Sequence, residues 1–180
     1  MKNENYYKKY IATVKDFPIE GIMFRDITPT IQNEVIFKDC IDDLAEIAIK
    51  YDFNKIICAE ARGFIFGSAL SYKLGKSLIM ARKPGKLPRP GLEYSYSLEY
   101  GKNTLIISED SIQENDKVLI LDDLLATGGS AVAMMELVKM ARATPVAALF
   151  YIELPDLHGV ATIKKAMDIP VHSLVQFEGE

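Results

Sequence analysis

The chain has 180 residues, 49% hydrophobic and 26% charged, enough to bury a full core without disulfide or metal staples. Asp and Glu total 25 against 21 Lys and Arg, leaving a net charge of -4. That balance argues against broad nucleic-acid or anionic-membrane binding and confines any anion site to a local patch.

Cys40 and Cys58 lie outside any CxxC spacing, and His158 and His172 lack a metal-ligand partner spacing, so reduced thiols are expected and a zinc site is not. The N-terminal MKNENYYKKYIATVKDF has no signal-peptide core, and no stretch approaches the ~20 apolar residues that cross a bilayer. A cytoplasmic protein is expected. Without repeats, low-complexity tracts or linkers, residues 1–180 read as a single domain.

Along the chain, Phe37, Cys40, Ile41, Leu44, Ile47, Ala48 and Tyr51 recur at three- and four-residue steps, which predicts an amphipathic helix over 35–51. KIICA, residues 55–59, has the length and character of a buried strand. Residues 63–74 read as a helix closed by Gly75, and SLIMA, 77–81, as another strand. ARKPGKLPRPG packs three prolines and two glycines into eleven residues and must be loop. The alternation of Leu92, Tyr94, Tyr96 and Leu98, with a strand pattern resuming over 104–108, predicts a hairpin-like excursion with mobile ends. A strand over 118–121, a helix over 129–142, a strand over 146–152 and an edge strand over 171–177 complete the chain. Alternating strands and helices imply an α/β fold, a central mostly parallel sheet flanked by helices, with ligands at the carboxyl ends of the strands.

The stretch VLILDDLLATGGSA, 118–131, sets two adjacent acids ahead of a small-residue loop that opens a helix. Backbone N–H groups of Ala126 to Ser130 have no intrahelical partners there, Thr127 and Ser130 add hydroxyls, and Gly128 and Gly129 permit close backbone approach. A phosphate suits that loop, and carboxylates at Asp122 and Asp123 suit vicinal hydroxyls, so a ribose 5-phosphate fits both halves. The competing reading is a plain strand-to-helix turn with an N-cap Thr and two solvated aspartates. A Walker loop is absent, since position 70 is Leu ahead of Gly75-Lys76-Ser77, as is G-x-G-x-x-G. Arg82, Lys83, Lys86 and Arg89 put four cations in eight residues, either an anion-binding loop or a solvated basic one.

DDLLATGGS resembles the phosphoribosyl-diphosphate (PRPP) motif of type I phosphoribosyltransferases. FPIEGIMFRDITP (17–29), EARGFIFG (60–67), RKPGKLPRPG with YSLEYG (82–101) and the C-terminal SLVQFE are similar, in the same order, to the adenine-specific branch of that family. The resemblance implies a type I phosphoribosyltransferase fold with a small hood from the N-terminal part and a flexible lid loop over 82–105. It implies a purine-salvage reaction, adenine plus PRPP giving AMP and diphosphate, with Mg2+ as cofactor and a homodimer as the assembly.

Residue by residue, it places Asp122 and Asp123 on the ribose hydroxyls, directly or through Mg2+ waters, and Ala126, Thr127, Gly128, Gly129 and Ser130 around the 5-phosphate. Arg62, Arg82 and Lys86 would meet pyrophosphate. Glu99 would handle the proton at the purine imidazole from a mobile loop, with Tyr100 helping to close it. Phe24 and Leu124 would sandwich the base while backbone groups at Met23 and Arg25 read its amino group and N1. A keto purine would leave those groups unpaired. A non-proline cis peptide is implied at Glu60-Ala61, where Ala61 replaces the family's usual serine. The same fold acting on xanthine or hypoxanthine, or a PRPP-sensing regulator without chemistry, are the alternatives.

Overall fold

Aliphatic runs with both faces apolar form strands only where helices cover both sides of the sheet, and the chain follows that rule. A computed structural model describes residues 1–98 and 101–179. The elements are α1 (Glu4–Lys8), β1 (Ala12–Lys15), β2 (Met23–Asp26), α2 (Thr28–Gln32), α3 (Glu34–Ala48), β3 (Lys55–Ala59), α4 (Gly63–Leu74), β4 (Ser77–Ala81), β5 (Gly91–Leu98), β6 (Gly101–Ser108), β7 (Lys117–Leu125), α5 (Gly129–Met140), β8 (Thr144–Glu153), α6 (Gly159–Ala166) and β9 (Val171–Gln176). Five strands make a parallel sheet in the order β4-β3-β7-β8-β9. Two antiparallel pairs, β1-β2 and β5-β6, stand apart from it.

Strand periodicity divides the core in two. Ile56, Cys58, Leu119, Leu121, Leu149 and Tyr151 pack with residues of α1 to α4, including Tyr7, Leu44, Phe66 and Leu70. Their neighbours Ile57, Ala59, Val118, Ile120, Ala148 and Phe150 pack against α5, Ile163 of α6, and Leu105 and Ile107 of β6. Both cysteines are buried free thiols, and none of the helices is long and apolar enough to cross a membrane among the described residues.

Local chemistry sets the ends of the helices. Asn33 caps α3 by accepting from the N–H groups of Val35 and Ile36, each at 3.1 Å, a cap worth about 1 kcal/mol. Gly75, with φ of 62°, stops α4 in the left-handed region. Helix α5 ends at Met140 rather than at the expected Arg142, which itself sits at φ 58°. The expected hairpin is present, and its second strand begins at Gly101, three residues earlier than the apolar pattern indicated.

One boundary matters for function. The strand predicted to end at Leu121 continues to Leu125, because pairing with β8 persists through Leu124 opposite Ile152 and Leu125 opposite Glu153. Asp122 and Asp123 therefore belong to the strand and not to the loop after it. They are held at the rigid carboxyl end of the central strand.

Candidate active site

Helix α5 begins where Gly128 adopts φ of 85°, and its first backbone bond runs from Val132 N–H to Gly128 C=O at 3.0 Å. N–H groups of the first turn thus lack intrahelical acceptors and face outward, with the positive end of the helix dipole behind them. A Cβ on Gly128 would lie 2.8 Å from the carbonyl oxygen of Gly159. A Cβ on Gly159 would lie 2.2 Å from the Ala126 oxygen. The loop is therefore seated against the start of α6 at a separation that only paired glycines allow.

This loop closes one end of a cavity of about 300 Å³. Its wall includes Ala126, Thr127, Gly128, Gly129 and Ser130, both acids Asp122 and Asp123, the turn Glu60–Arg62, Lys83, and Tyr96 and Asn103 from the β5-β6 pair. Tyr96 and Asn103 are cross-strand partners, and the Tyr96 phenol lies 3.0 Å from Ser130 Oγ.

The acids are withdrawn from bulk solvent to different degrees, Asp122 half-buried and Asp123 buried. Asp123 is 5% exposed, and Asp122 Oδ1 accepts from the Asp123 N–H at 3.0 Å. A Cβ on Gly63 would sit 2.4 Å from that same Oδ1, so the glycine opening α4 is what admits the carboxylate. Burial, reinforced by the neighbouring Asp123 charge, pushes the Asp122 carboxyl well above the usual carboxylate range. Burial also raises Asp123, with the Arg62 guanidinium opposing. Arg62 Nε comes within 2.8 Å of Asp123 Oδ2, yet that oxygen is buried without a hydrogen bond; the close approach is an ion pair whose N–H is not aimed at the oxygen. An acid left in this condition is set to receive a donor from elsewhere.

Of the cations expected at pyrophosphate, Arg62 lines the cavity and Arg82 and Lys86 do not. Arg82 is drawn to Glu60, its Nε 2.7 Å from Oε2. Burial pushes the Glu60 carboxyl up, but the bonds from Arg82 and the Lys83 N–H outweigh it and hold the group below its ordinary value. Lys83 and Lys86 are both exposed, and of the two Lys83 lies in the cavity wall. The peptide bond Glu60-Ala61 is cis, as is Phe17-Pro18. Among the described residues no group of three or more His, Cys, Asp or Glu could hold a metal ion. Two adjacent carboxylates can still share Mg2+ with substrate phosphates and water, the usual arrangement for that ion.

A second, more apolar cavity of about 240 Å³ adjoins the first and shares Leu124 and Ala126 with it. Met23, Phe24 and Arg25 line it as expected, joined by Gly21, Ile22, Leu154 and Leu157. Phe24 packs edge-on against Phe17 with ring centroids 5.1 Å apart, and the Arg62 guanidinium lies 5.1 Å from the Phe24 centroid. The Arg25 side chain is committed elsewhere: Nη1 donates to Thr13 Oγ1 at 2.6 Å, and the guanidinium stacks 4.2 Å from the Phe177 ring centre. What Arg25 offers the cavity is therefore backbone.

Glu99 and Tyr100 lie outside the described residues. Sequence reasoning passed over Tyr96, Asn103, Leu154 and Leu157 as site residues. The expected second strand of the hairpin stopped short of Asn103, which hid its pairing with Tyr96, and nothing in the local pattern marks Leu154 or Leu157.

Residues 30–156 match the phosphoribosyl transferase domain family. The chain is 49% identical to an adenine phosphoribosyltransferase of Fervidobacterium nodosum, over 94% of this chain and 98% of that protein. It superposes on the crystal structure of the Thermoanaerobacter pseudethanolicus adenine phosphoribosyltransferase with a TM-score of 0.92 at 40% identity, covering 97% and 100% of the two chains. The Saccharomyces cerevisiae enzyme, complexed with an imino-altritol bisphosphate and adenine, aligns with a TM-score of 0.86 at 34% identity over 96% and 98%. With the family match over residues 30–156 and this identity over nearly the whole of both chains, the chain belongs to the adenine phosphoribosyltransferases.

Proposed function

We propose that the two adjoining cavities divide between them the reaction of this family, in which adenine displaces diphosphate from PRPP to give AMP for purine salvage. The observation that carries the assignment is the shared wall at Leu124 and Ala126, which sets a base in the apolar pocket beside a sugar phosphate in the polar one. Ala126, Thr127, Gly128, Gly129 and Ser130 hold the 5-phosphate through N–H groups and hydroxyls. Asp122 and Asp123 hold the ribose hydroxyls near the ring, where positive charge develops as the bond from C1 to diphosphate breaks with its electrons leaving on oxygen. Arg62 and Lys83 receive the diphosphate, and Arg82 acts one step removed by fixing Glu60 and the turn it opens.

Phe24 and Leu124 sandwich the adenine, and backbone groups at Met23 and Arg25 read its edge. The purine nitrogen forms the new bond to C1 and sheds its imidazole proton to Glu99, with Tyr100 covering the site. The donor set fits Mg2+, held by PRPP oxygens with waters on Asp122 or Asp123; bound there it would neutralise the diphosphate oxygens. Residues 1–180 act as one domain. Exposed apolar side chains on α4 and β4, Ile65, Tyr72 and Met80, support a homodimer, and two reduced thiols suit the cytoplasm.

Release of diphosphate from PRPP and Mg2+, with adenine, guanine, hypoxanthine or xanthine supplied singly, tests this assignment. Adenine alone should support turnover. Turnover with a keto purine and none with adenine would overturn the base assignment.

A further inference from the structure

The β5-β6 pair meets the phosphate loop through the hydroxyl of one side chain. Tyr96 is half-buried, packs against the core beneath α5 and brings its phenol to 3.0 Å from Ser130 Oγ, inside the cavity wall to which both belong. The loop from Ala126 to Ser130 contains no cation. Arg62 in the wall is engaged by Asp123, and Lys83 enters the wall from the segment after β4. A doubly charged phosphate in the loop must therefore be met chiefly by neutral donors, and each hydroxyl proton counts.

Each hydroxyl has one proton and two lone pairs. In a bonded pair one proton is used between the partners and the other is left to turn outward. When Tyr96 donates to Ser130, the serine proton is free and sharpened as a donor by the bond it accepts. An anion at the loop selects that arrangement, because the phenol is the stronger acid of the two and the serine sits in the first turn of α5 beside the N–H groups. We propose that Tyr96 is a positioning residue for the 5-phosphate: its phenol donates to Ser130 Oγ, aims the serine proton at the phosphate, and couples the β5-β6 pair to occupancy of the loop. This rests on the assignment of the 5-phosphate to Ala126–Ser130.

Calorimetric titration of the full chain with ribose 5-phosphate and, separately, with inorganic pyrophosphate provides the test, on wild type, Tyr96→Phe, Ser130→Ala, their double variant and Thr127→Ala. Tyr96→Phe keeps the ring in the core and removes one oxygen. It should weaken ribose 5-phosphate about fivefold, as loss of one neutral hydrogen bond does, leave pyrophosphate within about twofold, and raise the KM for PRPP more than it lowers kcat. Combined with Ser130→Ala it should add no further loss, since its action passes through that serine. A merely structural tyrosine would lower Tm and leave both affinities alone. Wild-type affinity for ribose 5-phosphate in Tyr96→Phe, losses that multiply in the double variant, or an equal loss toward pyrophosphate would each overturn the proposal. If Thr127→Ala and Ser130→Ala bind ribose 5-phosphate as wild type does, the phosphate assignment has failed and the proposal with it. If they weaken while Tyr96→Phe does not, only the role of Tyr96 is lost.

Discussion

Five consecutive residues, Ala126 to Ser130, shape the phosphate end of the larger cavity, and the two residues before Leu124 supply its acids. The smaller cavity draws on Gly21 to Arg25, on Leu124 and Ala126, and on Leu154 and Leu157, three segments that meet only after the sheet has formed. Recognition of the first kind is polar and local: N–H groups, hydroxyls and carboxylates fixed by one strand-to-helix turn. The second kind is apolar and assembled, and the selectivity proposed for it rests on backbone groups that would be left unpaired by the wrong base. The contrast teaches that the two cavities should fail in different ways when altered.

The largest separation is expected from Asp123→Asn. Removing a charge aimed at the developing ribosyl cation should lower kcat/KM for PRPP by about a hundredfold, with the circular-dichroism spectrum unchanged; unaltered kinetics would take the carboxylate out of the mechanism. Phe24→Ala should do the reverse, raising KM for adenine about tenfold or more through lost stacking while the KM for PRPP stays within a factor of about two. Equal losses toward both substrates would mean that the cavities are not independent.

A finer division lies within the basic loop. Lys83→Ala should weaken pyrophosphate binding several-fold, in line with loss of one partly exposed charge contact, while Lys86→Ala should leave it unchanged, since only Lys83 lies in the wall. Parity between the two variants would restore the expectation drawn from sequence.

The smallest effect concerns stability. Asp122 in the folded chain ionises well above its ordinary value, mainly through burial and next through Asp123. The unfolded chain therefore loses this proton first as pH rises through the ordinary carboxylate value, and stability falls from there up to the raised folded value and stays lower at neutral pH. Asp122→Asn should raise Tm by a few degrees at pH 7, and the gain should vanish below the ordinary carboxylate value, near pH 3.8. A gain independent of pH would show that charge is not its source.

These regions also differ in how far they could be read from the chain. Strands 55–59 and 77–81 and helix 63–74 coincide with β3, β4 and α4, because each is a short apolar run closed by strong punctuation such as Gly75. The small-residue turn of Ala126 to Ser130 that opens α5 was legible for the same reason: its pattern is contiguous. Asp122 and Asp123 misled the strand boundary, since adjacent charges read as an exit from the sheet, whereas pairing with β8 carries them inside it. Helix α6 escaped notice, and with it Gly159, whose missing Cβ makes room for the Ala126 carbonyl. A close approach between segments over thirty residues apart leaves no trace in local periodicity. The bond that engages Arg82 with Glu60, made between segments 22 residues apart, likewise leaves no trace in the local pattern.

The wall common to both cavities has a bearing on how the reaction ends. On the proposed assignment adenine would fill one side of Leu124 and Ala126, and a sugar phosphate the other. AMP is those two ligands joined by a single bond, so it meets both sides as a two-headed molecule whose second head is already delivered when the first has bound. Its hold exceeds what either fragment achieves alone by the entropy it no longer has to lose. On that assignment departure requires both grips to open together, and the architecture predicts a slow escape of AMP, which single-turnover and steady-state rates measured side by side would check.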